Sequence, residues 1–289
     1  MKEINTYKIT NQILGKYNIR ANKRYGQNFL IDDNVLEKIT KISEIENNDL
    51  VIEIGPGLGN LTEYLIEKAG YLLLIEIDNN MIEILNDRFR NRSNYKIIND
   101  DVLKVNLKEI IESLEKTNNT KYSNIKVVAN LPYYITTPII FKLLEDDNRI
   151  DDIVVMVQKE VAERMVANSK TKDYGILTLM VKYLSETNIE IIVPNSSFIP
   201  APDVTSAVIK LKKIKRYKTS NEQLLFKLIH AAFAQRRKKM INSLESCRFN
   251  NMDKKSLENL FMGLEININC RAEELELEEY IKIVEKIKL

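Results

Sequence analysis

The first half of the chain alternates short apolar runs with segments of helical spacing. Segments 60–69 and 81–85 have apolar residues at helical spacing. The apolar runs predict strands, and they cover residues 50–54, 71–77, 96–98, 125–129 and 153–157. Strands that alternate with helices form parallel sheets, and strands covered on both faces are apolar throughout. We therefore predict an α/β fold built on a mostly parallel sheet.

The second half of the chain changes from this alternation to helices alone. Two further strands are predicted at 189–193 and 204–211, with a proline-containing loop at 196–203 between them. Beyond residue 216 apolar residues recur at helical spacing, in segments 224–233, 257–261 and 275–287. We therefore predict two domains, residues 1–216 and a small C-terminal helical domain of residues 217–289.

Composition narrows the possible function classes. The chain has 289 residues, 44% hydrophobic and 29% charged, as in globular proteins. No run of 18 or more apolar residues predicts a membrane-spanning helix, and no apolar signal segment opens the chain. Its one histidine, His230, and two cysteines, Cys247 and Cys270, favour neither a metal site nor a disulfide framework. We expect a cytoplasmic protein without a metal and without a membrane partner.

Basic residues form three local clusters although the formal net charge is only +2. These clusters lie within residues 1–26, within residues 207–218 and at residues 236–239. A single cluster of this kind is most often a solvated face. Three of them in one chain favour a polyanion, such as a nucleic acid, as partner.

A glycine-rich turn with the sequence E-I-G-P-G-L-G-N covers residues 53–60, at the end of the first predicted strand. Glycines at a strand-to-helix turn let the backbone approach a ligand closely. The dinucleotide fingerprint would require glycine where Asn60 stands, and a phosphate loop would require a Gly-Lys-Ser/Thr ending. The pattern therefore favours a ligand without phosphates, such as S-adenosylmethionine, and a tight turn without a ligand is the alternative.

Acidic residues follow the next two predicted strands. Glu76 ends the second strand, about 20 residues after the glycine turn, which is the spacing of a carboxylate that binds ribose hydroxyls. Asp101 follows the third strand and is a candidate acceptor for an adenine amino group, with Asp100 as its rival. Solvated loops also carry such residues, so each position alone is a weak signal.

The motif Asn130-Leu131-Pro132-Tyr133 follows the fourth predicted strand, where ligands of open α/β sheets bind. The exocyclic amine of adenine is a poor nucleophile because its lone pair is delocalised into the ring. The Asn130 oxygen and a backbone carbonyl of Leu131 or Pro132 would hold both amine hydrogens and turn the lone pair toward an electrophilic methyl group. Tyr133 would stack on the base, whereas the alternative makes Tyr133 and Tyr134 core aromatics.

Together these motifs resemble those of the ribosomal RNA adenine dimethylase family, most closely the bacterial members that act on 16S rRNA. The resemblance extends from about Arg24 to Leu289. Its segments are 26–30, 53–62, 76, 101, 130–133, 158–164, 173–175, 198–208 and 232–239. It implies a Rossmann-like S-adenosylmethionine-dependent methyltransferase with a C-terminal helical domain.

The resemblance also implies roles for individual residues. The implied cofactor-binding residues are Asn28, Leu30, Gly55, Gly57, Glu76, Asp101 and Asn130. The implied catalytic residues are Asn130, Leu131, Pro132, Tyr133 and Phe198, with Tyr133 and Phe198 sandwiching the target adenine. The implied RNA-binding residues are Arg236, Arg237, Lys238 and Lys239.

The function implied is N6,N6-dimethylation of two adjacent adenines in a hairpin near the 3′ end of 16S rRNA. The partner would be a precursor of the small ribosomal subunit, with a role in its biogenesis, and we expect a monomer. Two alternatives stay open: a large-subunit methyltransferase of the macrolide-resistance type, and an assembly factor that acts mainly by binding. Asn60 and the lack of a suitable proton-relay residue disfavour an NAD-dependent oxidoreductase.

Overall fold

The computed structural model describes residues 5–19, 26–145, 149–214 and 216–287. Five basic residues of the predicted clusters lie outside the described residues: Lys2, Arg20, Lys23, Arg24 and Lys215. Over the described ranges, the helices are all too short or too polar to cross a membrane.

The strands form a seven-stranded sheet and a separate two-stranded ribbon. In chain order they are β1 (Phe29–Leu30), β2 (Leu50–Ile54), β3 (Tyr71–Glu76), β4 (Tyr95–Asn99), β5 (Ile125–Asn130), β6 (Asp152–Gln158), β7 (Ser185–Val193), β8 (Phe198–Ile199) and β9 (Ser206–Lys213). The sheet has the order β4-β3-β2-β5-β6-β9-β7, and the ribbon pairs β1 antiparallel with β8.

The predicted mostly parallel sheet is confirmed. The contiguous strands β4, β3, β2, β5 and β6 pair in parallel, and β9 runs antiparallel to β6. All five residues of β2 are buried, as expected of a strand covered on both faces. The chain moves from β2 to β3 and β4 on one side, and β5 and β6 lie on the other side. This reversal of strand order leaves a crevice at the carboxyl ends of β2 and β5, where open α/β sheets bind ligands.

Seven helices begin within the first 162 residues of the described chain. They are α1 (Thr6–Lys16), α2 (Asp33–Ile42), α3 (Thr62–Leu65), α4 (Asn79–Phe89), α5 (Leu107–Thr117), α6 (Thr136–Glu145) and α7 (Lys159–Met165). The helix predicted over 60–69 is shorter than expected and forms α3. Position 70, which follows soon afterwards, leaves no room for a side chain, because a Cβ on Gly70 would lie 2.5 Å from the carbonyl oxygen of Asn47.

The backbone divides into two compact units. The first comprises Met1–Ala162 and Asn188–Lys213, and the second comprises Glu163–Thr187 and Ile214–Leu289. The helices that lie wholly in the second unit are α8 (Ile176–Leu184), α9 (Glu222–Phe233), α10 (Met240–Ser246), α11 (Lys254–Gly263) and α12 (Leu277–Lys286). Because α8 packs on α9 and α12, the second unit takes in a stretch that precedes the predicted helical region. The functional domains 1–216 and 217–289 stay a prediction.

A buried ion pair joins the amino ends of β2 and β5. Lys126 Nζ lies 3.0 Å from Asp49 Oδ2, and the Asp49 side chain is fully buried. Burial acts to raise the pKa of Asp49, but hydrogen bonds from the Asn124 amide, the Glu46 backbone N–H and Lys126 hold this pKa below its usual value. The Asp49 carboxylate therefore stays charged and depends on Lys126 for compensation.

Replacing Lys126 with Ala should lower the free energy of unfolding by about 3 kcal/mol, because it leaves the Asp49 charge buried without its partner. Urea denaturation near pH 7 measures this loss. Arg149→Ala is the matched control, since it breaks an exposed pair with Glu115 and should cost at most about 1 kcal/mol. Because the folded-state pKa of Asp49 is lowered, the stability it contributes is present above the ordinary aspartate pKa and is lost as the pH falls below it. Equal losses in both variants would contradict the assignment.

Candidate functional site

A cavity opens at the carboxyl ends of β2, β3 and β5, beside the reversal of strand order. It is lined by residues 26–30, 53–58, 60–61, 75–77, 100–103 and 130–135. All seven predicted cofactor-binding residues line it, and so do Leu131, Pro132 and Tyr133. The fold therefore brings these predicted residues into one place, while their individual roles stay predictions.

The glycine turn depends on backbone conformations that side chains disfavour. Gly55, Gly57 and Gly59 have φ angles of +65°, +56° and +81°. A Cβ on Gly59 would also lie 2.8 Å from the Phe89 ring and 2.9 Å from Leu85. The turn thus packs directly on α4, and its backbone N–H at Gly57 donates to Glu76 Oε2 at 3.1 Å.

The Glu76 carboxylate ends β3 with three backbone hydrogen bonds. Besides Gly57, the N–H groups of Ile77 and Asp78 donate to its Oε1, each at 2.9 Å. Burial raises the pKa of Glu76, and these three donors oppose the rise. A carboxylate offers about four lone-pair sites, so Glu76 keeps accepting capacity toward the cavity. That capacity fits the hydroxyl groups of an unphosphorylated ribose.

Asp100 and Asp101 both line the cavity on the loop after β4. Asp101 is half-buried, and its Oδ1 accepts from the Leu103 N–H at 2.9 Å. Asp100 is exposed, and its Oδ1 accepts from the Asp101 N–H at 2.7 Å. The choice between these two acids stays open, although Asp101 is the more enclosed.

The amide of Asn130 has its orientation set by the chain segment opposite it. Its Nδ2 donates to the backbone oxygen of Asn28 at 3.1 Å. With the nitrogen engaged there, the amide presents its oxygen as an acceptor.

The backbone carbonyl oxygens of Leu131 and Pro132, which follow Asn130, differ in how many hydrogen bonds they already accept. The Pro132 carbonyl accepts from the Ile135 N–H at 3.2 Å and from the Thr136 hydroxyl at 3.0 Å. Since a carbonyl oxygen has two lone pairs, Pro132 is engaged at both. Leu131 is therefore favoured over Pro132 as the second acceptor of the site.

Tyr133 and Tyr134 are not core aromatics, so that alternative is wrong. The Tyr133 ring is half-buried at the cavity, and its hydroxyl lies 2.6 Å from Ser206 Oγ. Burial raises the pKa of Tyr133, and the contact with Ser206 opposes the rise. Tyr134 is 57% exposed and also lines the cavity.

Phe198 does not itself line the cavity, although its strand partner Leu30 does. It pairs with Leu30 in the β1–β8 ribbon, is 3% exposed, and packs in a core cluster with Leu36 and Val193. The predicted sandwich of the target adenine between Tyr133 and Phe198 stays a prediction.

The predicted RNA-binding cluster, residues 236–239, lies in the second unit, and its four side chains differ in the contacts they make. Arg236 Nε pairs with Glu273 Oε2 at 3.0 Å, and its Nη2 donates to the carbonyl of Tyr174 at 3.0 Å. Lys239 Nζ donates to an asparagine side chain, Asn269 Oδ1, at 2.6 Å. The side chains of Arg237 and Lys238 are exposed. Arg236 thus holds its own unit together, and RNA binding by the cluster stays a prediction.

Sequence reasoning assigned no role to several residues that line the cavity: Gln27, Glu53, Asn60 and Tyr134. Glu53 is buried, and burial raises its pKa to about 8. The Thr62 hydroxyl donates to Glu53 at 2.7 Å and opposes that rise. The sequence signal that could have identified Glu53 is its position as the first residue of the glycine motif. In the described part of the chain, no group of three or more His, Cys, Asp or Glu side chains is arranged to hold a metal ion.

Glu53→Gln should make the ligand-free protein more stable at alkaline pH, because Gln accepts the Thr62 hydrogen bond without a charge. The folded-state pKa of Glu53 is raised, so wild-type stability falls as the pH rises from about 4.5 to about 8. Urea denaturation at several pH values should show the variant's advantage growing across that window. Glu83→Gln on the exposed face of α4 controls for the loss of one carboxylate. A constant advantage at all pH values would contradict a neutral Glu53.

Comparison with known proteins gives a family and a fold. The profile described as ribosomal RNA adenine dimethylase matches residues 18–289. The ribosomal RNA small subunit methyltransferase A of Lachnoclostridium phytofermentans is 46% identical over 283 residues, which cover 97% of this chain and 96% of that protein. The protein of the same name from Clostridioides difficile is 42% identical over 282 residues, with 97% and 95% covered.

Solved structures agree with the sequence relatives. A dimethyladenosine transferase from Plasmodium falciparum superposes with a TM-score of 0.72 at 27% identity, covering 88% of this chain and 95% of that one. The 23S rRNA methyltransferase ErmE gives a TM-score of 0.65 at 22% identity, covering 90% and 99%, and at that identity it shows the fold alone. The predicted Rossmann-like methyltransferase fold is confirmed.

Proposed function

Because the chain belongs to the ribosomal RNA adenine dimethylase family, we propose that it dimethylates N6 of two adjacent adenines near the 3′ end of 16S rRNA. The methyl donor is S-adenosylmethionine. Relatives named ribosomal RNA small subunit methyltransferase A, with 41–46% identity, support the small subunit as the target. The observation that carries the chemistry is the Asn130 amide, which donates to Asn28 and so presents its oxygen in the cavity.

The donor set of the cavity fits S-adenosylmethionine. Glu76 suits the ribose hydroxyls, and Asp101 or Asp100 suits the adenine amine. Asn28, Leu30, Gly55 and Gly57 bring backbone groups close to the ligand. Carboxylates at Glu76 and Asp101 favour a cationic ligand and repel phosphates. When bound, this cofactor supplies an electrophilic methyl group on a sulfonium.

The residues after β5 would activate the target amine by orientation. Asn130 Oδ1 and the Leu131 carbonyl accept the two amine hydrogens, which turns the lone pair out of the plane of the base. Bound S-adenosylmethionine would supply its methyl group to N6 and be left as a neutral thioether, and the methylated amine would release one proton to water. Since an alkylated aromatic amine is acidic, the site needs no strong general base.

A target base can reach these acceptors only when it leaves its stack. Proteins that modify bases pay this cost by stacking the displaced base on aromatic side chains. Tyr133 would provide that surface, because the contact with Ser206 fixes its hydroxyl while its ring borders the cavity. Phe198 would provide the second aromatic face of the predicted sandwich.

The RNA backbone would be held partly by the second unit. The exposed side chains of Arg237 and Lys238 provide positive charge without the neutralising contact that Arg236 has with Glu273. Contacts of this kind fix orientation and supply salt-dependent affinity. We further propose that the substrate is a precursor particle of the small subunit and that the protein acts as a monomer.

Asn130→Ala should reduce methyl transfer by about 100-fold or more, because it removes an acceptor that orients the amine. Binding to the small subunit should change little, since one interior side chain contributes little to a large RNA contact. The measurement is transfer of labelled methyl from S-adenosylmethionine to undermethylated small and large subunits, assayed separately, followed by location of the label.

Dimethyladenine in the small subunit alone supports the proposal. Label in the large subunit alone would instead indicate an enzyme of the macrolide-resistance type. No label in either subunit, with small-subunit binding retained, would indicate an assembly factor. Equal loss of transfer and binding in the Asn130 variant would contradict its role.

Arg237→Ala should weaken small-subunit binding and reduce the slope of log affinity against log salt by roughly 1, as expected when one phosphate contact is lost. Titration of the particle at several salt concentrations measures this slope. Lys255→Ala removes an exposed charge from α11 and controls for net charge. An unchanged slope for Arg237→Ala would exclude it from the RNA contact.

A further inference from the structure

Asn60 stands where a dinucleotide-binding turn would have glycine, and its side chain joins separate parts of the chain. Its Nδ2 donates to Thr10 Oγ1 and to the backbone oxygen of Leu30, both at 2.9 Å. Its Oδ1 accepts from Arg88 Nη1 at 3.2 Å. Asn60 is 6% exposed, so these bonds are shielded from water.

Arg88 fixes the orientation of the Asn60 amide. A guanidinium has only donors, so it must meet the oxygen of the amide and leave the nitrogen to face Thr10 and Leu30. Arg88 is itself held by the Leu58 carbonyl and by Glu63, whose Oε2 lies 3.1 Å from Nη2. The amide therefore has one favoured orientation.

The hydrogen bond from Asn60 to Leu30 holds the chain two residues from Asn28, which contacts Asn130. The backbone oxygen of Asn28 is the acceptor for Asn130 Nδ2, at 3.1 Å. Leu30 is held by Asn60, and Gln27 donates from Nε2 to Asp78 Oδ2 at 2.9 Å. Residues 27–30 are thus anchored on both sides of the carbonyl that orients Asn130.

The bond to Thr10 adds α1 to the same arrangement. Thr10 lies on the buried face of α1 together with Thr6 and Ile13. Ile13 packs with Phe29 and Leu58, which line the cavity. Helix α1 therefore packs on residues 28–30, the segment to which Asn60 is hydrogen-bonded.

We propose that Asn60 is a positioning residue for methyl transfer, acting through residues 28–30 on the orientation of the Asn130 amide. The inference rests on the proposed function and deepens it. When the Asn28 carbonyl shifts, Asn130 Nδ2 loses its acceptor, and the amide can rotate to present its nitrogen. Two donors would then face each other where the amine must be held.

The second methyl transfer is the more sensitive step. A monomethylated amine has one hydrogen left, so a single hydrogen bond must orient it. A misplaced Asn130 oxygen therefore slows the second transfer more than the first, and monomethyladenine accumulates. A role in stability alone would lower the amount of active protein without changing the ratio of products.

The experiment compares Asn60→Asp with wild type. The change keeps the size of the side chain and its contact with Arg88, and it places an acceptor against the Leu30 carbonyl. At saturating S-adenosylmethionine, kcat on small-subunit particles should fall by about 10- to 100-fold, with KM for the particles unchanged. The ratio of monomethyladenine to dimethyladenine should rise at equal total methylation.

Variants of α1 test the same link without altering the cavity. Thr10→Val should reproduce the altered product ratio in part, and Thr10→Ser should restore it because it keeps the hydroxyl. Gln12→Ala, on the exposed face of α1, is the matched control. All variants are first checked for cooperative unfolding, and Thr10→Val serves if Asn60→Asp does not fold.

The outcomes separate this inference from the proposed function. If wild type does not methylate small subunits, the proposed function fails. If wild type is active and folded Asn60→Asp keeps its kcat and product ratio, the positioning role is overturned while the function stands.

Discussion

The position of β2 between β3 and β5 determines where this protein can do chemistry. Because strand order reverses there, the carboxyl ends of three parallel strands surround one crevice, and each supplies a different group. The strand β2 ends in the glycine turn, β3 ends in Glu76, and β5 ends in Asn130. Parallel pairing aligns these ends, and the Asp49–Lys126 pair fixes the opposite ends of β2 and β5.

The site that results is built mainly of acceptors. The Glu76 carboxylate, the Asn130 amide oxygen and backbone carbonyls line it, and burial raises the pKa of Glu53 and of Glu76. Such a site suits a cationic methyl donor and an amine that must be held by its hydrogens. In the proposed mechanism methyl transfer depends on how the acceptors are placed, and hydrogen bonds at Gln27, Asn28 and Leu30 hold the segment opposite Asn130.

Much of the first unit could be predicted from the sequence. Apolar runs of strand length located all five parallel strands, and burial on both faces accounts for the strength of this signal in β2, β3, β5 and β6. The glycine turn, Glu76 and the motif at 130–133 were found because strand ends converge at one edge. The helix predicted over 60–69 is shorter at both ends, since α3 covers only Thr62–Leu65, and periodicity gives no sign of the close approach of Gly70 to Asn47 that follows.

Other features depend on contacts between distant residues, and the sequence carried little sign of them. Phe198 is buried and pairs with Leu30, and Arg236 forms an ion pair with Glu273. The link from Asn60 to Thr10 spans 50 residues, and neither residue belongs to a motif that predicts the other. A residue type at a given spacing thus locates a site more readily than it identifies the network that orients it.

The second unit is assembled from two stretches that the first unit separates in sequence. A ribosome that synthesises this chain therefore releases α8 long before its packing partners α9 and α12 exist. Until then α8, whose buried residues include Leu179 and Val181, lacks these two packing partners. For the same reason, a truncation that removes residues 217–289 does not remove an independent domain. It leaves the apolar helix α8 behind without α9 and α12. The helical unit therefore forms only when both of its stretches, Glu163–Thr187 and Ile214–Leu289, have been synthesised.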